Sequence, residues 1–128
     1  MKSSSRDWIA LAGRVLMSAI FVYGGIMKAL APAATMGYFS KLALPMPGAA
    51  YALTLAVEIG AGILFLVGYK TRVTALILGV WCIATAMAAH YHPNDQGQMI
   101  HFMKNVAMAG GFLQAVAFGG GRLSVDRG

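Results

Sequence analysis

The chain has 128 residues, of which 59% are hydrophobic and only 11% are charged. Soluble domains carry about 25% charged residues, so the composition excludes an ordinary soluble protein and indicates one membrane-embedded domain. The net charge of +6 does not indicate nucleic-acid binding, because the cations are spread along the chain and form no basic face.

The first predicted element is an apolar segment from Trp8 to Leu30. About 20 apolar residues in a helix, at ~1.5 Å per residue, cross the ~30 Å hydrocarbon core of a bilayer. The segment therefore predicts a membrane-spanning helix. Arg14 and Lys28 interrupt it, and charges within a membrane helix face the interior of the bundle rather than lipid.

The connection after this segment, Ala31 to Pro47, is the longest in the chain. Pro32 suits the first turn of a helix, and Pro45 would end one. One interpretation is a short helix from Pro32 to Leu44 with a rough apolar side, lying in the membrane interface. A plain loop fits the same residues nearly as well.

Three more apolar segments follow, Ala49–Val67, Arg72–Tyr91 and His101–Gly119. Their length and their content of Ala, Leu, Met and Gly favour helices over strands. Small residues at regular spacing allow such helices to approach one another closely. The sequence therefore predicts an all-α fold, a four-transmembrane-helix bundle.

The positively charged residues indicate the orientation of this bundle. Most of them fall on one predicted side of the membrane, namely Lys2, Arg6, Lys70, Arg72, Arg122 and Arg127. Because cytoplasmic loops carry the excess of Lys and Arg, both termini are predicted to lie in the cytoplasm.

Glu58 is an acidic residue in the middle of the second apolar segment. A charge at that depth costs roughly 2.5–3.5 kcal/mol on insertion scales. Counting the helical rise from the cytoplasmic edge places Glu58 ~15 Å deep and Arg14 ~9 Å deep. We therefore predict a buried polar group in which Arg14 pairs with Glu58, and Gln114 hydrogen-bonds to either. The pair would fix helix register or handle a proton or a ligand.

A second polar group gathers near the predicted outer edge, and its members are Lys28, His90, His92, His101, Lys104 and Asn105. Lys28 and Lys104, beside an apolar interior, would suit a quinone carbonyl or an anionic headgroup. All of these except His92 are the ligand-binding candidates. A polar rim at the membrane interface is the alternative interpretation.

Metal-ligand residue types also occur in this region, namely His90, His92, Asp95 and His101. Imidazole and carboxylate suit Zn²⁺ or Cu²⁺. The spacing matches no recognised metal pattern, however, and a loop separates the members, so we assign no metal site.

Taken in order, several of these pieces resemble the DoxX family of small four-span bacterial membrane proteins. The resemblance covers nearly the whole chain. Its pieces are Arg14 followed by Phe21–Lys28, the Leu44-Pro45 turn, Glu58 within Val57–Gly62, the turn Gly68–Arg72, Lys104-Asn105, Gly110-Gly111, and the ending Gly121–Asp126 with Val125 in place of the usual leucine.

The resemblance implies an integral inner-membrane subunit of a redox or oxidative-stress-related assembly that contacts the quinone pool. A soluble or membrane-bound oxidoreductase would be its partner besides the lipid bilayer, and a homo-oligomer is also compatible. The family positions carried over are Arg14, Lys28, Glu58, Thr71, Arg72, Lys104, Asn105, Ser124 and Asp126.

Three functions stay open on this basis. The first is the non-catalytic subunit just described, which we prefer to an enzyme acting alone because one cysteine, Cys82, and scattered histidines offer no clear cofactor site. The second is a small proton-coupled transporter acting as a dimer through Glu58, although Arg14 would neutralise that carboxylate. The third is a structural or recruiting protein without its own chemistry.

Overall fold

The computed structural model describes residues 4–128. Their regular structure is helical, with no strand among them. The helices are α1 (Ser5–Ala29), α2 (Pro32–Lys41), α3 (Pro47–Val67), α4 (Thr71–His90) and α5 (Gln96–Phe118). Residues 119–128 form an irregular C-terminal segment. The predicted all-α class is confirmed. Lys2, one of the cations used to predict orientation, lies outside the described residues.

Helices α1 and α5 begin earlier than their apolar segments because polar caps extend them. The Ser4 hydroxyl accepts a hydrogen bond from the Asp7 N–H (3.3 Å), and the Asp7 carboxylate accepts one from the Ser4 N–H (2.9 Å). This capping box satisfies N–H groups that have no partner within the helix. Asp95 caps α5 in a similar way by accepting from the Gln98 N–H.

The connection between the first two apolar segments contains a helix, α2, rather than a plain loop. Its first residue is Pro32, whose fixed φ suits that position. The helix ends at Lys41, before the predicted Leu44, and Ala43 has a positive φ of 58°. Thr35 and Phe39 are its buried residues.

Two of the helices contain π-helical turns, in which the backbone hydrogen bonds skip one additional residue. One lies within α3 at Ala56–Ala61 and includes Glu58. The other forms the end of α4 at Ala86–His90. Such turns are rare and occur frequently at functional sites.

Aromatic side chains form the centre of the bundle. The Phe112 ring, on α5, lies edge-on to the rings of Phe21 and Phe65, with centroid distances of 5.5 and 5.2 Å. Helices α1 and α3 cross closely at Gly25, where an added Cβ would lie 2.6 Å from Ile59. This core therefore joins α1, α3 and α5 directly.

Three helices of the described chain, α1, α3 and α4, are long and apolar enough to cross a membrane. Helix α5 has 23 residues, and ~1.5 Å per residue makes it about 34 Å long. It is less apolar than the other three because it carries His101, Lys104, Asn105 and Gln114.

Candidate functional site

Arg14 is buried, but it does not pair with Glu58. Its Nε donates to the Gly120 carbonyl (3.1 Å) and its Nη1 to the Leu66 carbonyl (2.5 Å), while Nη2 donates to the Leu123 carbonyl. The predicted ion pair is therefore wrong. The prediction failed because the C-terminal segment folds back onto Arg14 and supplies the carbonyl oxygens of Gly120 and Leu123. A count of helical depth does not include that segment.

Asp126 fastens the C-terminal segment to the start of α4. Its Oδ1 accepts from the Lys70 N–H (2.7 Å), and its Oδ2 accepts from the Thr71 N–H and hydroxyl (2.7 and 2.8 Å). Hydrogen bonds from Thr71, and then from Lys70, lower the pKa of Asp126. Helix α4 receives no cap from its own preceding residue, so Asp126 caps it from the far end of the chain.

We call this region the Arg14 site: Arg14 with its three carbonyl acceptors, and Asp126 with Lys70 and Thr71. The segment also reaches α1, since the Arg122 N–H donates to Asp7 Oδ1 (3.2 Å). Several carried-over family positions meet here, namely Arg14, Thr71, Ser124 and Asp126. The site joins α1, α3 and α4 through the C-terminal segment.

The turn between α3 and α4 requires a glycine at position 68. Gly68 has a φ of +75°, and an added Cβ would lie 2.3 Å from the Ser124 Cβ and 3.0 Å from Arg14 Nη1. A side chain there would therefore meet both backbone strain and the packed C-terminal segment.

Glu58 is buried and has two partners, neither of which is Arg14. Lys28 Nζ lies 2.7 Å from Glu58 Oε1, and Trp81 Nε1 donates to Oε2 at 3.1 Å. Both carboxylate oxygens therefore accept a hydrogen bond. Lys28 was predicted at the outer edge, and Trp81 was not among the predicted site residues. The signal that was available is an indole N–H within an apolar segment, which needs an acceptor when buried.

Gln114 does not belong to this polar group. Its side chain is exposed on α5 and hydrogen-bonds to neither Arg14 nor Glu58 within the described chain. The buried face of α5 is set by Ala109 and Phe112, and Gln114 lies about 200° around the helix from Phe112. Counting helical depth did not include the rotation of α5, which turns Gln114 away from the buried face.

A cavity of about 540 Å³ lies beside Glu58. We call it the Glu58 cavity. Residues from all five helices line it, and most are apolar. Its polar lining residues are Lys28, Thr54, Glu58, Trp81, Thr85, His90 and Asn105, with Tyr38. Ligand pockets typically measure 300–1,000 Å³ and combine apolar walls with a few polar groups, which this cavity does.

Three of the five ligand-binding candidates line the cavity, namely Lys28, His90 and Asn105. His101 packs against the His90 ring at 5.4 Å between centroids and is not part of the lining. Lys104 is exposed and borders a shallow groove outside α5. Ligand binding by these residues stays a prediction.

The polar residues at one side of the cavity have fixed orientations. Asn105 Nδ2 donates to the Thr85 hydroxyl oxygen (3.1 Å), and Thr85 in turn donates to the Trp81 carbonyl (2.9 Å). His90 Nδ1 lies 2.8 Å from Gln98 Oε1. This contact fixes the orientation of the His90 ring.

Both π-helical turns border this cavity. Glu58 belongs to the first, and Ala88, Ala89 and His90 belong to the second. Their coincidence at one cavity marks it as the candidate functional site. Among residues 4–128, no three His, Cys, Asp or Glu side chains cluster closely enough to hold a metal ion.

Comparison with known proteins identifies the family. The DoxX family model matches residues 9–91. The inner membrane protein YphA of Escherichia coli K12 is 32% identical over 129 aligned positions, covering 97% of this chain and 92% of YphA. The inner membrane protein YqjF of the same strain is 34% identical over 117 positions, covering 91% of this chain and 88% of YqjF. No solved structure matches the chain. The chain therefore belongs to the DoxX family and is a multi-pass integral protein of the bacterial inner membrane.

Proposed function

We propose that this protein is a four-span, quinone-binding subunit of a redox or oxidative-stress-related assembly, and that the Glu58 cavity is its quinone site. The observation that carries the proposal is a cavity of about 540 Å³ with an ion pair set into apolar walls. A quinone head has carbonyl oxygens that accept hydrogen bonds, and its apolar tail suits such walls and the surrounding lipid.

The positions of the chain ends support four membrane crossings. The hydrogen bond from Arg122 to Asp7 joins the C-terminal segment to the first turns of α1. This contact supports an arrangement with both ends on one side of the membrane, which an even number of crossings would give. Helices α1, α3 and α4 are the candidates for three crossings, and α5 is long enough for the fourth.

The same end of the bundle carries most of the cations. The α3–α4 turn brings Lys70 and Arg72 there, beside Arg122 and Arg127 of the C-terminal segment. This excess supports a cytoplasmic position for both termini. Reporter fusions at residue 128 and in the α4–α5 loop test the topology. An active periplasmic reporter at residue 128 would contradict it.

Lys28 is the residue best placed to bind the head of a ligand. Its side chain is 36% exposed, whereas that of Glu58 is 10% exposed. One N–H of its ammonium group donates to Glu58, and the remaining N–H groups are free to donate to a carbonyl oxygen. His90 Nε2 supplies a second polar contact on the lining of the same cavity.

We propose that the redox chemistry itself belongs to a partner oxidoreductase. Within this chain, Cys82 is buried in the core and packs among apolar residues. The protein would hold quinone at the membrane while the partner exchanges electrons with it. Purification in mild detergent followed by mass spectrometry tests this part. Repeated recovery of the protein without any oxidoreductase would contradict it.

Tryptophan fluorescence provides a direct binding assay. The chain has two tryptophans, Trp8 exposed and Trp81 at the cavity, so Trp8→Phe leaves the reporter in place. We expect saturable quenching of Trp81 by a decyl-tailed benzoquinone. Lys28→Met should weaken the binding, and Lys104→Met, which removes a cation outside the cavity, should not. Absence of saturable quenching in the Trp8→Phe protein would reject the quinone site.

The proton-coupled transporter remains a competing function, and a substitution of Glu58 tests it. Glu58 is the carboxylate that such a transporter would use, and both of its oxygens already have partners, Lys28 at one and Trp81 at the other. Proton flux in vesicles that is present in wild type and lost in Glu58→Gln would favour the transporter instead.

A further inference from the structure

We propose that the Glu58 cavity selects uncharged ligands, and that Glu58 enforces this selection by neutralising Lys28. The inference rests on the proposed function in one respect, since it takes the cavity to be a ligand site. It adds the charge class of the ligand and the residue that determines it. It also decides between the two head groups that Lys28 would suit, a neutral carbonyl and an anionic headgroup.

The charges that line the cavity cancel. Among the residues that line it, Lys28 is cationic and Glu58 is anionic, with their nitrogen and oxygen 2.7 Å apart. The lining also includes the imidazole of His90 and the phenol of Tyr38, and its remaining residues are uncharged. A ligand therefore meets a dipolar pair rather than a net charge.

An anionic head would have to compete with Glu58 for Lys28. If it displaced the carboxylate, Glu58 would remain buried, with Trp81 as its one remaining hydrogen-bond donor. A buried carboxylate without a cation is strongly unfavourable. If it did not displace the carboxylate, the two anions would face each other across Lys28. Both arrangements disfavour an anion.

A neutral carbonyl head avoids this conflict. It accepts a hydrogen bond from an N–H of Lys28 that Glu58 does not use, so the ion pair stays intact. Trp81 fixes the other carboxylate oxygen and holds Glu58 toward Lys28. Trp81 is thus a positioning residue for the pair.

Glu58→Gln tests the inference because it removes the negative charge while keeping the size of the side chain and an acceptor for Trp81. The two probes are the decyl-tailed benzoquinone and dodecanoate, each added to protein in the Trp8→Phe background. We expect wild type to prefer the benzoquinone. In Glu58→Gln, dodecanoate affinity should rise about tenfold or more, the effect of one charge-assisted hydrogen bond.

A second variant, Lys28→Gln, removes the other charge of the pair and tests the inference if Glu58→Gln does not fold. Lys28→Gln leaves Glu58 as the charged group of the cavity lining, and it should gain affinity for dodecyltrimethylammonium and not for dodecanoate. Lys104→Met in the Glu58→Gln background should leave dodecanoate binding unchanged, because Lys104 lies outside the cavity. Adding Lys28→Met to Glu58→Gln should abolish that binding.

The outcomes separate this inference from the proposed quinone site. If wild type binds neither probe but Glu58→Gln gains dodecanoate, quinone binding is rejected while charge selection stands. If wild type binds both probes equally, or neither variant changes preference, charge selection is overturned even though the cavity binds benzoquinone.

Discussion

The protein places its intramembrane cations in two different settings. At the Arg14 site, all three nitrogens of the guanidinium donate to backbone carbonyls, and the side chain is 4% exposed. At the Glu58 cavity, Lys28 pairs with another side chain and faces about 540 Å³ of open space. A cation held at all three nitrogens by backbone carbonyls holds the fold together, whereas one that pairs with a single carboxylate beside a cavity is available to a ligand.

The largest effect should follow from removal of Arg14. Arg14→Met would leave the carbonyls of Leu66, Gly120 and Leu123 without their donors. A buried unsatisfied group costs about 1–3 kcal/mol, and the bonds to Leu66 and Leu123 are part-buried, so we expect the free energy of unfolding to fall by about 3 kcal/mol. Denaturant unfolding in detergent micelles, followed by circular dichroism, measures this. Arg6→Ala, at an exposed position on the same helix, is the control.

A joint substitution separates this arrangement from the ion pair that the sequence predicted. If Arg14 paired with Glu58, Arg14→Leu with Glu58→Leu would restore stability relative to either single change. Because the two residues have separate partners, we expect the joint variant to be less stable than either. Restored stability would contradict the described contacts of Arg14.

A smaller loss should follow from Gly68→Ala. The positive φ strains an alanine by about 1–3 kcal/mol, and the new Cβ meets Ser124 at 2.3 Å. Gly13→Ala is the matched control, because a Cβ at that helical glycine meets nothing within 4 Å and should raise stability slightly. The same unfolding assay compares the two. Equal effects would mean that the C-terminal segment does not pack against the α3–α4 turn.

Asp126 should give this end of the bundle a pH dependence. Hydrogen bonds from Thr71 and Lys70 hold its pKa below the ordinary 3.8, so folding is favoured while Asp126 is ionised. That contribution is complete above about pH 4 and is lost as the pH falls through the lowered value. Its size is modest because Asp126 is exposed.

The comparison of wild type with Asp126→Asn isolates this carboxylate. We expect the stability difference between the two to be largest at neutral pH and to shrink as the pH falls through the lowered pKa of Asp126. Other acidic residues titrate in both proteins and cancel. A difference that does not change with pH would show that the hydrogen bonds of Asp126 contribute nothing through its charge.

The sequence predicted the helices better than it predicted their contacts. Apolar segments locate helices because burial in lipid requires them, and the segment Ala49–Val67 agrees closely with α3 at Pro47–Val67. Capped ends were missed at α1 and α5, since Ser4 and Asp95 are polar and lie outside the apolar runs. Residues 119–128 are irregular, so a helical pattern of apolar residues could not predict where they lie.

The contacts of Arg14 and Glu58 show what depth counting leaves out. Counting the helical rise gives the depth of a residue along its helix. It does not give the rotation of the helix, which turns Gln114 away from the polar group, or the length of a side chain. Lys28 was predicted at the outer edge, yet its four-carbon side chain brings Nζ to Glu58. Three of the five ligand-binding candidates, Lys28, His90 and Asn105, do line the cavity. They were identifiable because polar residues within an apolar segment face the interior of the bundle.

The smallest expected effect on stability comes from neutralising the ion pair of the Glu58 cavity. Lys28→Met with Glu58→Gln removes both charges and keeps an acceptor for Trp81. Replacing a buried ion pair by neutral groups of similar volume is often close to neutral, so we expect less than about 1 kcal/mol. Either single change should cost more, because it leaves one charge without its partner, and a double-mutant cycle measures that coupling. Benzoquinone quenching of Trp81 should nevertheless weaken in the double variant, since the Lys28 donor is gone. If the double variant loses as much stability as Arg14→Met, the Lys28–Glu58 pair holds the fold together and the contrast between the two regions fails.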